Sequence, residues 1–373
     1  MNLLGKAIIA GFAIFSMLFG SGNLIFPLTL GREFPANWDM ALVGWICAAV
    51  VIPLLGYFGA VLFDADHRKY LAPLGKYATA ILMFIMMMVA GPFGAVARNV
   101  NVSFGGMHVV MPELTNFGFN IVYCILMTLS AWNPGKLIQI IGTIFTPLKF
   151  GGVAIVLIGV IFFCDANVVE DTVTGAIEAM SGGFKAGYQT MDLLAGFIMS
   201  STVFLYIKNA LPESDRSNRN MIIKFCGYAC LVGGITLAIA YSGLVYASAR
   251  CSAVLVGVPA EELFTKAAEI SMGSWASWFV AIVTAICCLA TNVVLTSIFT
   301  DYVHKDIFRE KISRNMTLAG VGISSFMMSL LGFSGICSIL GMILEKVYPA
   351  LIVFVVVRIA HHYLSGARQR QSM

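Results

Sequence analysis

Two short segments of this chain carry the residue types that hold small charged solutes. The first is Phe19-Gly20-Ser21-Gly22-Asn23, followed by Pro27, and the second is Thr190-Met191-Asp192. Gly20 and Gly22 each cost about 1 kcal/mol against alanine in a helix, and Asn23 competes for backbone hydrogen bonds. Pro27 has no N–H, so the Asn23 carbonyl loses its helical partner. A helix broken here ends near Phe19 in bare carbonyls that suit a cation, and restarts near Asn23 with bare N–H groups that suit an anion. The alternative is a kinked, close-packed helix of the small-residue type. Asp192 reads either as the N-cap of a half-helix starting at Leu193 or as a charge facing a cavity, an ion or a partner, and the two are compatible. A zwitterion travelling with a small cation satisfies both poles of such a site; water or glycerol would not need them.

Both segments lie in stretches that only a bilayer would hold. Of the 373 residues 59% are hydrophobic and 11% charged, with mean hydropathy +0.88, whereas soluble domains carry about 25% charged residues. A water-soluble enzyme is excluded. Apolar stretches fall at about 7–30, 40–63, 78–104, 117–132, 137–163, 186–208, 221–249, 275–300, 316–332 and 336–360. About 20 apolar residues span a membrane as a helix, and barrel strands are only ~10 residues long. The expected fold is an all-α polytopic membrane protein with about ten transmembrane helices. Glu345 and Lys346 lie within the last helix or in a loop between spans 317–344 and 347–363; either way the total stays at ten.

Basic residues gather on the cytoplasmic side of membrane proteins. With the N-terminus inside, 16 of the 23 fall on the inner side, from Lys6 through Arg68 and Lys136 to Arg370. The outer side receives five, Arg32, Arg98, Lys185, Arg250 and Lys266, while Lys149 and Lys346 fall inside spans. Both termini are therefore expected in the cytoplasm. The net charge of +4 is accounted for by these loops and the tail, so no nucleic acid is implied.

Interrupted spans one and six are five apart, which suggests two five-helix halves of opposite topology within one domain, 1–373. The repeats would cover about 6–163 and 174–363. Helices interrupted at corresponding positions point to a midplane transport site. The nine cysteines read as buried small hydrophobes, and the five histidines form no ligand set. No nucleophile, base or metal set stands at one depth, so the chain reads as a carrier, not an enzyme, without cofactor and with no metal beyond a transported cation.

At these residues the sequence resembles the branched-chain amino acid:cation symporters. Phe12–Gly31 is similar to that family's opening helix, and Gly187–Ala195 to its Gly-Tyr-x-Thr-Met-Asp-Ala-Leu-Ala segment. Weaker likenesses run through Gly91-Pro92 to Phe104, through Ile141–Leu148 and around Tyr348-Pro349. The resemblance implies a leucine-transporter-type fold of five plus five helices with helices one and six broken. It also implies a bacterial-type inner-membrane protein importing leucine, isoleucine and valine by sodium symport with alternating access. A proton-coupled or differently selective neutral amino acid transporter is the alternative. Gly20, Ser21, Gly22, Thr190, Met191 and Asp192 are expected to line the substrate pocket. Asp192 would hold the substrate ammonium, a cation or a proton. By the resemblance Asn23 is the foremost cation ligand and the Phe19 carbonyl the second. Thr291 and Asn292 would supply a further cation site, where Ala290 replaces a family threonine. Ala97, Asn99, Asn101 and Gly105 depart from the family's third-helix motif, and the last two of its usual twelve helices are expected to be missing.

Overall fold

Runs of Leu, Ile, Val, Phe, Ala and Gly leave the backbone only one way to close its hydrogen bonds in lipid, and that is within each segment. The computed structural model describes residues 3–132, 146–163, 175–211, 216 and 218–371, and among these every regular element is helical. The segment 133–145, with Lys136 and most of the family-like stretch 141–148, lies outside the described residues, as does 164–174.

In chain order the main helices are α1 (Leu3–Leu18), α2 (Gly22–Glu33), α3 (Trp38–Val61, carrying a π turn at Cys47–Val51), α4 (Gly75–Ala90) and α5 (Ala95–Val110). They continue as α6 (Asn116–Ala131), α7 (Thr146–Phe163), α8 (Ala176–Tyr188), α9 (Asp192–Ala210) and α10 (Arg219–Arg250). The last four are α11 (Leu263–Met272), α12 (Ser274–Ile307), α13 (Arg314–Ser329) and α14 (Gly332–Gln371). Five stretches among the described residues are long and apolar enough to cross a membrane: α3, Lys69–Val110, α10, α12 and Gly332–Leu364. The fold is that of a polytopic membrane protein.

Glycines set the closest helix contacts. A Cβ on Gly44 of α3 would lie 1.9 Å from the Met180 carbonyl oxygen of α8, and one on Gly183 would lie 1.9 Å from that of Ala41. Gly31 stands in the same relation to Val245 of α10, at 2.1 Å. Backbones in lipid are drawn together by packing rather than by water expulsion, so such contacts carry much of the association. Gly183→Ala should therefore lower stability by about 3 kcal/mol or more, read as a drop in the thermal unfolding midpoint of the detergent-solubilised chain.

The structure settles or corrects four of the sequence expectations. The interruption in the first span falls at Phe19-Gly20-Ser21, and Pro27 sits inside a continuous α2 rather than at the break. The stretch expected as one span at 78–104 is split by a turn at Gly91–Gly94. Proline disfavours the helical region for the residue before it, and Gly91 turns away there with ψ −141°. Glu345 and Lys346 lie within the continuous α14, so the loop alternative does not hold. Cys251, just past α10, is disulfide-bonded, which the reading of all nine cysteines as plain buried thiols missed.

Candidate functional site

The glycines and Ser21 stop α1 at Leu18 and let α2 restart at Gly22. Between α8 and α9 the chain makes a tight turn through Gln189, Thr190 and Met191, with Met191 at φ +60°. That left-handed conformation costs an unbranched residue about 1–2 kcal/mol and is an outlier for a β-branched one. Met191→Ile should therefore lower the unfolding midpoint more than Met191→Leu, although all three side chains are of similar size.

The turn also settles how Asp192 is used. Thr190 Oγ1 accepts from the Asp192 N–H at 3.4 Å and donates to the Gly187 carbonyl at 2.8 Å, so threonine rather than aspartate serves the start of α9. The Asp192 carboxylate is freed for a partner far away in sequence. Asn23 Nδ2 donates to its Oδ2 at 2.7 Å. The same amide donates to the hydroxyl of Tyr241 on α10. Tyr241 is held for this by the Phe19 ring, stacked at 5.8 Å, and by the Trp45 ring, edge-on at 5.6 Å. Asn23 and Asp192 are 1% and 2% exposed. Burying a charge is tolerable only when it is paired or hydrogen-bonded.

A second polar group joins from α5 and α12. Ser21 donates to Asn99 Oδ1, Asn99 Nδ2 donates to Asn292 Oδ1 at 2.7 Å, and Asn292 Nδ2 donates to the Val96 carbonyl at 3.0 Å. Arg98 is 2% exposed and donates to the Gln189 carbonyl at 2.5 Å. Its guanidinium also lies over the Phe26 ring, 5.2 Å from the centroid.

These elements enclose a cavity of about 80 Å³, room for on the order of five waters. Gly20, Ser21, Gly22, Asn23, Thr190, Met191 and Asp192 all line it, with Thr291, Arg98 and Asn99. Leu18, Ala90, Ala95, Ala195, Ile198 and Leu295 supply apolar wall. Two expected residues stand outside the lining. Asn292 uses its amide to tie α12 to α5, and Phe19 is buried with its ring between Phe15 and Tyr241. A larger groove of about 640 Å³ along Val43, Met180, Phe184 and Tyr188 is mostly apolar and holds none of the expected site residues. Among the described residues no cluster of His, Cys, Asp and Glu could hold a metal ion.

Sequence reasoning missed Arg98, Gln189 and Tyr241 as site residues. The structure corrects the expectation of Arg98 on the outer side: it is 2% exposed among the buried polar groups, because α5 turns it toward Gly22 and Gln189. An arginine inside an apolar stretch is itself a functional signal, and that signal was available. Tyr241 gave none, being one of 12 tyrosines; only the packing of α10 along α1 and α2 selects it.

A bundle of apolar helices whose buried polar groups converge on one internal cavity defines the class of membrane transport proteins. Residues 4–373 match the family of branched-chain amino acid transport proteins, and the chain belongs to that family, whose members are carriers rather than enzymes. It is 28% identical over 370 residues to the branched-chain amino acid permease BrnQ of Bacillus subtilis, covering 96% of this chain and 82% of that protein. It is likewise 28% identical over 365 residues to the branched-chain amino acid transport system 3 carrier protein of Pseudomonas aeruginosa, covering 95% of this chain and 81% of the relative.

Proposed function

We propose that this protein is a secondary active transporter that imports branched-chain amino acids by cation symport, sodium being the coupling ion, with alternating access. The observation that carries the reading is the cavity between the two chain interruptions, lined by Gly20–Asn23 on one side and Thr190–Asp192 on the other. Family membership and the relatives' names supply the substrate class. The cavity, at about 80 Å³, is smaller than a branched-chain amino acid with its ion, so loading requires the helices around it to part.

In this reading α1 with α2, α4 with α5, and α8 with α9 each form one crossing. Together with α3, α6, α7, α10, α12, α13 and α14 they make ten, in two inverted halves. The tertiary contacts are consistent with that alternation. Arg219 reaches the Leu62 carbonyl, Ser201 that of Ala65 and Arg358 that of Lys69, which gathers one set of ends. Arg32 reaches the Leu255 and Val258 carbonyls and His108 meets Glu262, which gathers the opposite set. The disulfide-bonded Cys251 belongs to the second set, and disulfides persist in oxidising compartments. That supports the second set facing outward and both termini facing the cytoplasm, in agreement with the basic-residue count once Arg98 is withdrawn from the outer side.

One monovalent cation moving down ~100 mV releases ~2.3 kcal/mol, worth roughly 50-fold accumulation of a zwitterion at 1.4 kcal/mol per decade. A single ion site therefore suffices. Asn23 and the break carbonyls are the first candidates for it, with Thr291 beside them; Asp192 holds either the ion or the substrate ammonium. In proteoliposomes, uptake of labelled leucine, isoleucine and valine should need an inward sodium gradient. Uptake driven equally by a proton gradient without sodium would replace sodium by a proton, and no uptake of any of the three would end the reading.

A further inference from the structure

We propose that Arg98 is the anchor for the substrate carboxylate, facing Asp192 across the cavity so that the two buried charges bracket a zwitterion. This rests on the amino acid transport reading above. Arg98 is 2% exposed within an apolar bundle, yet no carboxylate among the described residues forms a direct ion pair with it. Its contacts, the Gln189 carbonyl, the Phe26 ring and the Cys337 side chain, orient the guanidinium without neutralising it. Its Nε is buried with no hydrogen-bond partner among the described residues. Asp192 lines the same cavity and is satisfied by the neutral amide of Asn23 rather than by a cation. Two opposite charges kept in one cavity without a direct ion pair leave the contact positions of each open to a ligand. An α-amino acid supplies a charge opposite to each at a fixed spacing.

The chemistry of the anchor fits a carboxylate. A guanidinium is a planar fork that matches carboxylate oxygens in pairs, and it stays charged at any physiological pH. Gly22 keeps the approach open: a Cβ there would lie 3.0 Å from the Arg98 terminal nitrogen and 3.3 Å from the Phe26 ring. Gly22 and Asn23, the first residues of α2, line this cavity, and a helix start adds attraction for an anion. The apolar wall at Leu18, Ala195, Ile198 and Leu295 remains for the aliphatic side chain.

The test is competition against labelled leucine on the full chain in lipid nanodiscs, using leucine and leucinol, which keeps the ammonium and side chain but lacks the carboxylate. Native protein should prefer leucine by about 100-fold or more, since a site built to bond a charged group rejects the analogue lacking it. In Arg98→Gln the preference should collapse to within about threefold, because leucine then loses what leucinol never had. Arg98→Lys should keep part of it. If Arg98→Gln weakens both ligands equally and keeps their ratio, the arginine is only structural and the proposal falls. Should Arg98→Gln fail to fold, the native ratio and Arg98→Lys decide, and equal native affinity for leucine and leucinol overturns the anchor. A native protein that binds neither leucine nor leucinol refutes the transport reading itself, a different result from leucine binding without carboxylate preference.

Discussion

Asp192→Asn should reduce amino acid uptake by at least about 100-fold while leaving the protein as stable as the native chain or more so. The carboxylate is 2% exposed, its hydrogen-bond partners, the Asn23 amide and Thr190, are neutral, and it forms no direct ion pair with Arg98. A charge held out of water costs several kcal/mol, and replacing it by a neutral group of the same shape is commonly neutral or stabilising. Asparagine fits the same space and can still accept from Asn23. What it cannot do is balance an ammonium or a cation in the cavity. Losing a desolvated charge partner of that kind costs about 2–5 kcal/mol in binding, which sets the size of the transport defect. The two readouts separate a functional charge from a structural one. Uptake assayed in vesicles beside the unfolding midpoint in detergent should move in opposite directions, or the midpoint should hold while uptake is lost. A midpoint that falls together with uptake would assign Asp192 to the fold rather than to transport.

Asn23→Ala should damage both properties. Its amide donates to Asp192 and to the Tyr241 hydroxyl, linking α2, α9 and α10 at one buried point. Truncation leaves the carboxylate and the phenol without that donor, and an unsatisfied buried group costs about 1–3 kcal/mol, more when charged. An unfolding midpoint lower by the equivalent of about 2–3 kcal/mol and uptake near background are expected. The pair can be apportioned by a cycle: in the Asp192→Asn background, Asn23→Ala should cost at least about 1 kcal/mol less than in the native chain, as contacting residues couple by 0.5–3 kcal/mol. Additive effects would show that the two side chains do not act on each other.

How much of this was legible beforehand depends on how local each feature is. The break at 19–21 follows from Gly20, Ser21, Gly22 and Asn23 acting on their own backbone, and the turn at 189–191 from the neighbourhood of Asp192. Pro27 was a false cue for the position of the break: it is the sixth residue of a continuous α2, where its missing N–H removes a single helical bond, that to the Asn23 carbonyl, without ending the helix. The turn at Gly91–Gly94 was legible in its Gly-Pro pair but was passed over, since the mean hydropathy of that stretch hides a short interruption. Asn99 and Asn292 illustrate the opposite case. As residue types they could bind a cation, yet their amides are engaged with each other and with the Val96 carbonyl.

The sequence by itself determined that this chain lives in a membrane, that its backbone must close its bonds within helices, and where its helical runs are interrupted near Phe19–Ser21 and Gln189–Met191. These are properties of composition and of neighbouring residues, and they need no knowledge of what lies across the bundle. Only the tertiary structure decided that Asn23, Arg98 and Asp192 line one cavity, with Tyr241 bonded to Asn23 behind its wall. They stand on four different elements, up to 218 positions apart for the Asn23–Tyr241 bond. The faces that α3 and α8, and α2 and α10, turn toward each other are set by the fit of Gly44 to Met180, Gly183 to Ala41 and Gly31 to Val245, and that fit exists only once the helices have packed.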